Sequence, residues 1–176
     1  MKIGFCGTMS VGKTTLVKSL GELPEFKDYY VTTERSKYLK DLGIPLNTDS
    51  TLNGQTIFLA ERVSELMRPK LITDRTVIDV IAFAKCAKSI NVLDKEAFED
   101  YAKLFVSQYD YIFYVNPIGT VMENNGVRET DNEFRKTIDF FIQRIADRYS
   151  HRMKNFVEIS GTNEERIKKV KETIFL

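Results

Sequence analysis

Apolar residues fall along the chain in two kinds of run. Short continuous runs read as strands buried on both faces. Runs spaced three and four apart read as amphipathic helices. The first strand is "KIGFCG" (2–7), ending in Gly7, and "KTTLVKSLGEL" (13–23) follows as a helix. "YYVTT" (29–33) is β-rich and stops at Glu34, and "ERSKYLKDLG" (34–43) reads as a short helix closed by Gly43. "IPLNTDS" (44–50) is a turn. The helix after it carries Ile57, Ala60, Val63 and Met67 at helical spacing, and Pro69 ends it.

The second half repeats the alternation. "KLITD" (70–74) is a strand stopping at Asp74, and "VIDVIAFAKCAK" (77–88) is a strongly apolar helix. "LDKEAFEDYAKLFVSQ" (93–108) is another helix, with Phe98, Tyr101 and Phe105 on one face. "YDYIFYV" (109–115) is a buried strand ending at Asn116-Pro117, followed by a polar loop over 117–130. Thr130 and Glu133 form a capping-box pattern opening a helix with Phe134, Ile138, Phe141, Ile145 and Tyr149 on one stripe. "FVEIS" (156–160) is the last strand, and Thr162 with Glu165 opens a final helix whose Ile167, Val170 and Ile174 face inward.

Strands alternating with helices imply an α/β fold: a five-stranded parallel sheet with helices on both faces, a three-layer α/β/α sandwich. Ligands on such sheets bind beyond the carboxyl ends of the strands. Gly7, Glu34, Asp74, Asn116 and Ser160 stand at those ends. The topology therefore brings them to one rim.

Composition narrows the class. The 176 residues suit one domain over the whole chain, with 43% hydrophobic and 29% charged residues. Lys+Arg is 26 against Asp+Glu 25, a balance that weighs against a long nucleic-acid footprint. The two cysteines, Cys6 and Cys86, sit in apolar runs, which points to free thiols in a reducing compartment. No basic-led apolar leader opens the chain and no run is long enough to span a membrane, so a cytoplasmic protein is expected. The single histidine, His151, lies in a polar stretch and reads as a surface residue.

One motif carries chemistry. Gly7-Thr8-Met9-Ser10-Val11-Gly12-Lys13-Thr14 fits the phosphate-loop pattern G-x-x-x-x-G-K-[ST], with a strand before it and a helix after it. Backbone N–H groups around Ser10, Val11 and Gly12 and the helix N-terminus suit phosphate oxygens. Lys13 is expected to reach the β- and γ-phosphates, Thr14 to hold Mg²⁺, and Thr15 to reach the α-phosphate. The markers of a GTPase are missing: no Asp has Gly three residues on, and the expected N-K-x-D position reads "VNPIGT". Remodelling ATPases use far longer chains, which leaves a small kinase.

Further residues on the rim fit that reading. Asp74 can hold Mg²⁺ through its water shell and Arg75 can pair with substrate oxygens. The competing reading is an N-cap followed by a surface arginine. Glu34 can accept the proton of an attacking hydroxyl, or simply be a first-turn glutamate favoured by the helix dipole. The 117–130 loop reads as a lid, with Arg128 and Arg135 flanking the next helix and able to meet phosphoryl charge. Both also read as solvated helix-face residues. Gly161, Thr162 and Arg166 stand where a nucleotide base can be touched, or where a plain helix start would stand.

Together "GTMSVGKTTL", "TTERSKYLKDLGIPLN", "LITDRTVIDVIAFA", "GVRETDNEFR" and "EISGTNEER" resemble the small P-loop nucleoside kinases, particularly the ribosylnicotinamide kinase-like ATPases. Deoxynucleoside and thymidylate kinases are similar at greater distance. The resemblance implies ATP with Mg²⁺ and a nucleoside-like acceptor: a nucleoside, ribosylnicotinamide or nucleoside monophosphate. It implies Glu34 as the acceptor-side carboxylate, Asp74-Arg75 as the acid–arginine pair, and Gln55 and Phe58 in the acceptor pocket. The absence of tryptophan departs from indole-lined pockets. Two alternatives stay open on the residues: a kinase of a nucleic-acid end or a hydroxylated base in DNA, and a nucleotide-binding regulatory module. ATP against GTP and the oligomeric state are also open at this point.

Overall fold

The computed structural model describes residues 1–33, 35–118 and 132–175. Glu34, Arg128, Thr130 and the lid expected over 117–130, apart from Pro117 and Ile118, lie outside the described residues.

Five strands form one sheet: β1 (Lys2–Cys6), β2 (Tyr30–Thr32), β3 (Leu71–Asp74), β4 (Tyr111–Val115) and β5 (Phe156–Ile159). Their order is β2-β3-β1-β4-β5, and every pairing is parallel. The helices are α1 (Lys13–Gly21), α2 (Ser36–Asp41), α3 (Leu52–Glu65), α4 (Val77–Cys86), α5 (Val92–Ala102), α6 (Asn132–Arg148) and α7 (Asn163–Phe175).

The central strands alternate between two cores, as the period of two in a strand requires. Ile3, Phe5, Ile72, Phe113 and Val115 point toward Leu16, Val17 and Leu20 of α1 and Val170 of α7. Cys6, Leu71, Ile112 and Tyr114 point toward α3, α4, α5 and α6. The expected three-layer arrangement is therefore present. Because β1 lies between β3 and β4, the loop after Cys6 emerges beside Asp74.

Two helix faces differ from expectation. On α3, Ile57 and Ala60 are exposed, as is Met67 just beyond it, while Gln55, Leu59, Arg62 and Leu66 are buried. The buried stripe keeps helical spacing but is half polar: Leu59 and Leu66 join the apolar core, while Gln55 and Arg62 meet polar partners. On α5, Tyr101 is 58% exposed and the buried face is Phe98, Glu99 and Ala102. Beyond α5 the chain tightens into a 3₁₀ turn over Lys103–Gln108 instead of continuing as α-helix.

Candidate active site

The loop from Gly7 to Gly12 is shaped by backbone conformations that favour glycine. Gly12 has φ 85, and a Cβ there would lie 3.0 Å from the Arg166 guanidinium. Gly7 has φ 148, and a Cβ would come 2.8 Å from the Val115 carbonyl oxygen. Gly12 is also the cap residue of α1, and it offers no side chain to the first-turn N–H groups. The first turn of α1 holds no acidic residue either. A helix start without side-chain cap or carboxylate is suited to an anion.

Lys13 is 6% exposed, and its Nζ donates to the Gly7 carbonyl at 2.7 Å and the Thr8 carbonyl at 2.8 Å. The ammonium is thus held across the mouth of the loop. Thr8 Oγ1 donates to the Arg135 carbonyl at 3.2 Å, which seats the first turn of α6 on the loop. Burial lowers the pKa of Arg135, partly offset by Asp139. Arg166 turns inward: it is 6% exposed and its Nη1 donates to the Val11 carbonyl at 2.6 Å. Gly161 has φ 88, and Thr162 and Glu165 close the expected capping box on α7. Thr15 is exposed beside the loop, and Ser10 is half-buried in it with φ 58.

Thr14 Oγ1 donates to Asp74 Oδ2 across the gap between α1 and β3. Asp74 is 1% exposed, and its other oxygen, Oδ1, is buried with no hydrogen-bond partner among the described residues. A bare carboxylate oxygen beside a loop threonine is the donor set a hydrated Mg²⁺ uses. Such ions are held by one or two protein groups and substrate phosphates rather than by a full protein cage. No cluster of three or more His, Cys, Asp or Glu side chains that could hold a metal occurs among the described residues. The N-cap of α4 is Thr76, not Asp74, which leaves the Asp74 carboxylate to the rim.

At Arg75, the residue after Asp74, opens a small cleft lined by Gln55 and Phe58 of α3, Arg75, and Asp79, Val80 and Phe83 of α4, with Leu46 and Asn47 on the facing turn. The structure therefore brings Gln55, Phe58 and Arg75 together. Arg75 has φ 84, a conformation that costs free energy for a non-glycine residue and clusters at functional sites. Its guanidinium stands 4.8 Å over the Phe83 ring. The Gln55 amide is oriented by donating to Ser50 Oγ at 3.0 Å.

Residues 2–166 match the family described as an AAA domain. The chain belongs to this family. Among solved structures, this AAA-domain chain is similar to deoxyadenosine kinase from M. mycoides with bound dCTP, at 17% identity and TM-score 0.70, over 99% of this chain and 98% of that one. It is similar to thymidylate kinase from Candida albicans at 16% identity and TM-score 0.68, over 98% and 89%. It is similar to NadR protein in complex with NR at 15% identity and TM-score 0.72, over 97% of this chain and 50% of that one. At these identities the likeness is one of fold. No match is found among curated proteins. Among the described residues no helix is long and apolar enough to cross a membrane.

Three polar residues at the site of this AAA-domain chain escaped the sequence reading. Arg62 is 3% exposed, and its Nη1 donates to the Asp74 carbonyl at 3.0 Å. Glu65 accepts from Arg62 at 2.7 Å, from Thr32 at 2.9 Å and from Thr73 at 2.8 Å, tying α3 to the ends of β2 and β3. Burial raises the pKa of Glu65, offset in part by Arg62 and the two threonines. The third, Asp79, is fully buried and forms a capping box with Thr76. The T-x-x-D spacing was a visible signal for Asp79. Nothing local marked Arg62 or Glu65, which face inward only because α3 crosses the strand ends.

Proposed function

We propose that the protein is an ATP-dependent phosphotransferase that moves the γ-phosphoryl group to a hydroxyl of a nucleoside or nucleoside monophosphate. The observation that carries this reading is the cleft beside Asp74 and Arg75. A phosphate loop alone serves hydrolysis as well as transfer. A second, partly apolar cleft on the same rim, walled by Phe58, Val80 and Phe83 with Gln55 and Arg75 as polar groups, gives an acceptor somewhere to lie. The folds it resembles belong to nucleoside and nucleotide kinases, which supports the same class.

In this reading the loop N–H groups and Lys13 hold the donor's phosphates. Thr14 and Asp74 hold Mg²⁺, which when bound neutralises charge on the phosphate oxygens. Arg75 orients the acceptor, with Phe58 stacking on it and Gln55 hydrogen-bonding to it. Glu34 takes the proton of the attacking hydroxyl as its oxygen bonds to the γ-phosphorus and the bond to the bridging β–γ oxygen breaks. Arg128 and Arg135 meet the charge spread over the moving group. Gly161 and Thr162 approach the base, and Arg166 supports the loop from beneath.

The test offers γ-labelled ATP with nucleosides, ribosylnicotinamide, nucleoside monophosphates and oligonucleotides as separate acceptors. Label is expected in a nucleoside or monophosphate. Label entering only the oligonucleotides would replace this acceptor class by a polynucleotide.

A further inference from the structure

Asp79 is a fully buried carboxylate that the proposed chemistry does not use. Its two oxygens serve different elements. Oδ1 accepts from the Gly7 backbone N–H at 3.1 Å, at the start of the phosphate loop. Oδ2 accepts from the Thr76 N–H at 2.7 Å and the Thr76 hydroxyl at 3.0 Å, at the start of α4. Between β3 and Thr76 stands Arg75, with its positive φ. Asp79 also borders the cleft that Arg75 enters.

A capping carboxylate needs only the Thr76 contacts. The bond to Gly7, 72 residues away, is an addition that capping does not explain. It ties the loop to the turn that aims Arg75. The charge environment agrees with this placement. Burial raises the pKa of Asp79, while Lys13 of the loop and Arg75 of the cleft both lower it, so the carboxylate feels both cations.

We propose that Asp79 is a positioning residue that latches the first glycine of the phosphate loop to the start of α4 and so holds the loop in register with Arg75 and the acceptor cleft. The latch stands on its own geometry; its part in transfer rests on the kinase reading. Asp79→Asn keeps the shape but places an NH₂ group against one of two N–H donors. It cannot keep both bonds.

Two readouts and one control test this. The control is Thr76→Ala, which removes the side-chain cap and leaves the carboxylate on Gly7. The first readout is amide exchange at Gly7 by NMR. The Gly7 amide is expected to be protected in the native protein, to exchange about tenfold faster in Asp79→Asn, and to stay protected in Thr76→Ala. An unprotected Gly7 amide in the native protein overturns the latch with no variant needed. The second readout is steady-state transfer. Asp79→Asn is expected to lower kcat by about 10- to 100-fold, as misplaced groups do, with acceptor KM within about threefold of wild type. Thr76→Ala is expected to keep both constants within about threefold. Equal losses in the two variants would reduce Asp79 to a helix cap and overturn the positioning role. If the wild type labels no acceptor, the kinase reading falls and the latch is judged by the Gly7 amide alone.

Discussion

The buried Oδ1 of Asp74 has no hydrogen-bond partner among the described residues, while its Oδ2 already accepts from Thr14. Carboxylate oxygens are left bare in a protein interior only where something else satisfies them. Asp74→Asn is therefore expected to raise the Mg²⁺ concentration needed for half-maximal rate, with the fold unchanged. Glu34→Gln is expected to cut kcat by about 10²- to 10⁴-fold, the usual range for a general base, with nucleotide affinity near wild type. Exchanged phenotypes would reverse the two roles, and a silent Glu34→Gln would leave it a helix-start residue. A thiol prediction belongs to the same scale. Burial pushes the Cys86 pKa up to about 11 and raises that of fully buried Cys6 as well. Neither is then a ready thiolate at pH 8. Iodoacetamide followed by mass spectrometry should label both slowly until the protein unfolds, and rapid labelling of native Cys6 would contradict this. Lys13 and Thr14 could be singled out in the sequence because the loop pattern fixes their spacing, and Asp74 because it closes a strand. The sequence did not show Arg62, whose role is set by a neighbouring carbonyl brought near only by folding.

Helix α3 shows why period is easier to read than phase. A helix was expected there and is present, yet the buried stripe is Gln55, Leu59, Arg62 and Leu66, and of Ile57, Ala60, Val63 and Met67 only Val63 packs against the core. Hydropathy selects the most apolar face, whereas this helix turns a half-polar face toward the strand ends, where Glu65 and Arg62 find partners. A comparable cluster joins three helices far from the loop. Buried Glu99 of α5 accepts from Tyr149 at 2.7 Å and pairs with Arg148 at 2.9 Å and with Lys85 of α4. Burial works to raise its pKa, but Lys85, Tyr149 and Arg148 outweigh that and hold it below the usual glutamate value. A depressed carboxyl pKa stabilises the fold above the unfolded value of about 4.3, and that contribution is lost as pH falls through the folded value. Glu99→Gln is expected to cost about 1–3 kcal/mol at pH 7, the lower part of the range being favoured by the exposure of Arg148. The difference in melting temperature should shrink as the pH falls below about 4, with kcat unchanged at pH 7. A gap that widened on acidification would contradict the assignment of Glu99 as the charged partner.

At the scale of the molecule, the order β2-β3-β1-β4-β5 does the assembly. It sets the phosphate loop after β1 between the Asp74 end of β3 and the Asn116 end of β4, and it lets α3 and α4 wall a cleft beside Asp74. The alternation of runs was enough to read five strands on one rim, since parallel strands with helical crossovers leave few other arrangements. The identity of the cleft wall was less legible, because it depends on how α3 is rotated and on a turn near Asn47 that carries no motif. The proposed reaction is transfer from the loop to an acceptor in that cleft. It is tested most directly by following label from γ-labelled ATP in the wild type and in Lys13→Ala, with nucleosides and nucleoside monophosphates present and products identified by mass. A phosphorylated nucleoside or nucleotide is expected in the wild type and none in a folded Lys13→Ala. Label recovered from the wild type only as inorganic phosphate, or equal transfer by Lys13→Ala, would contradict it.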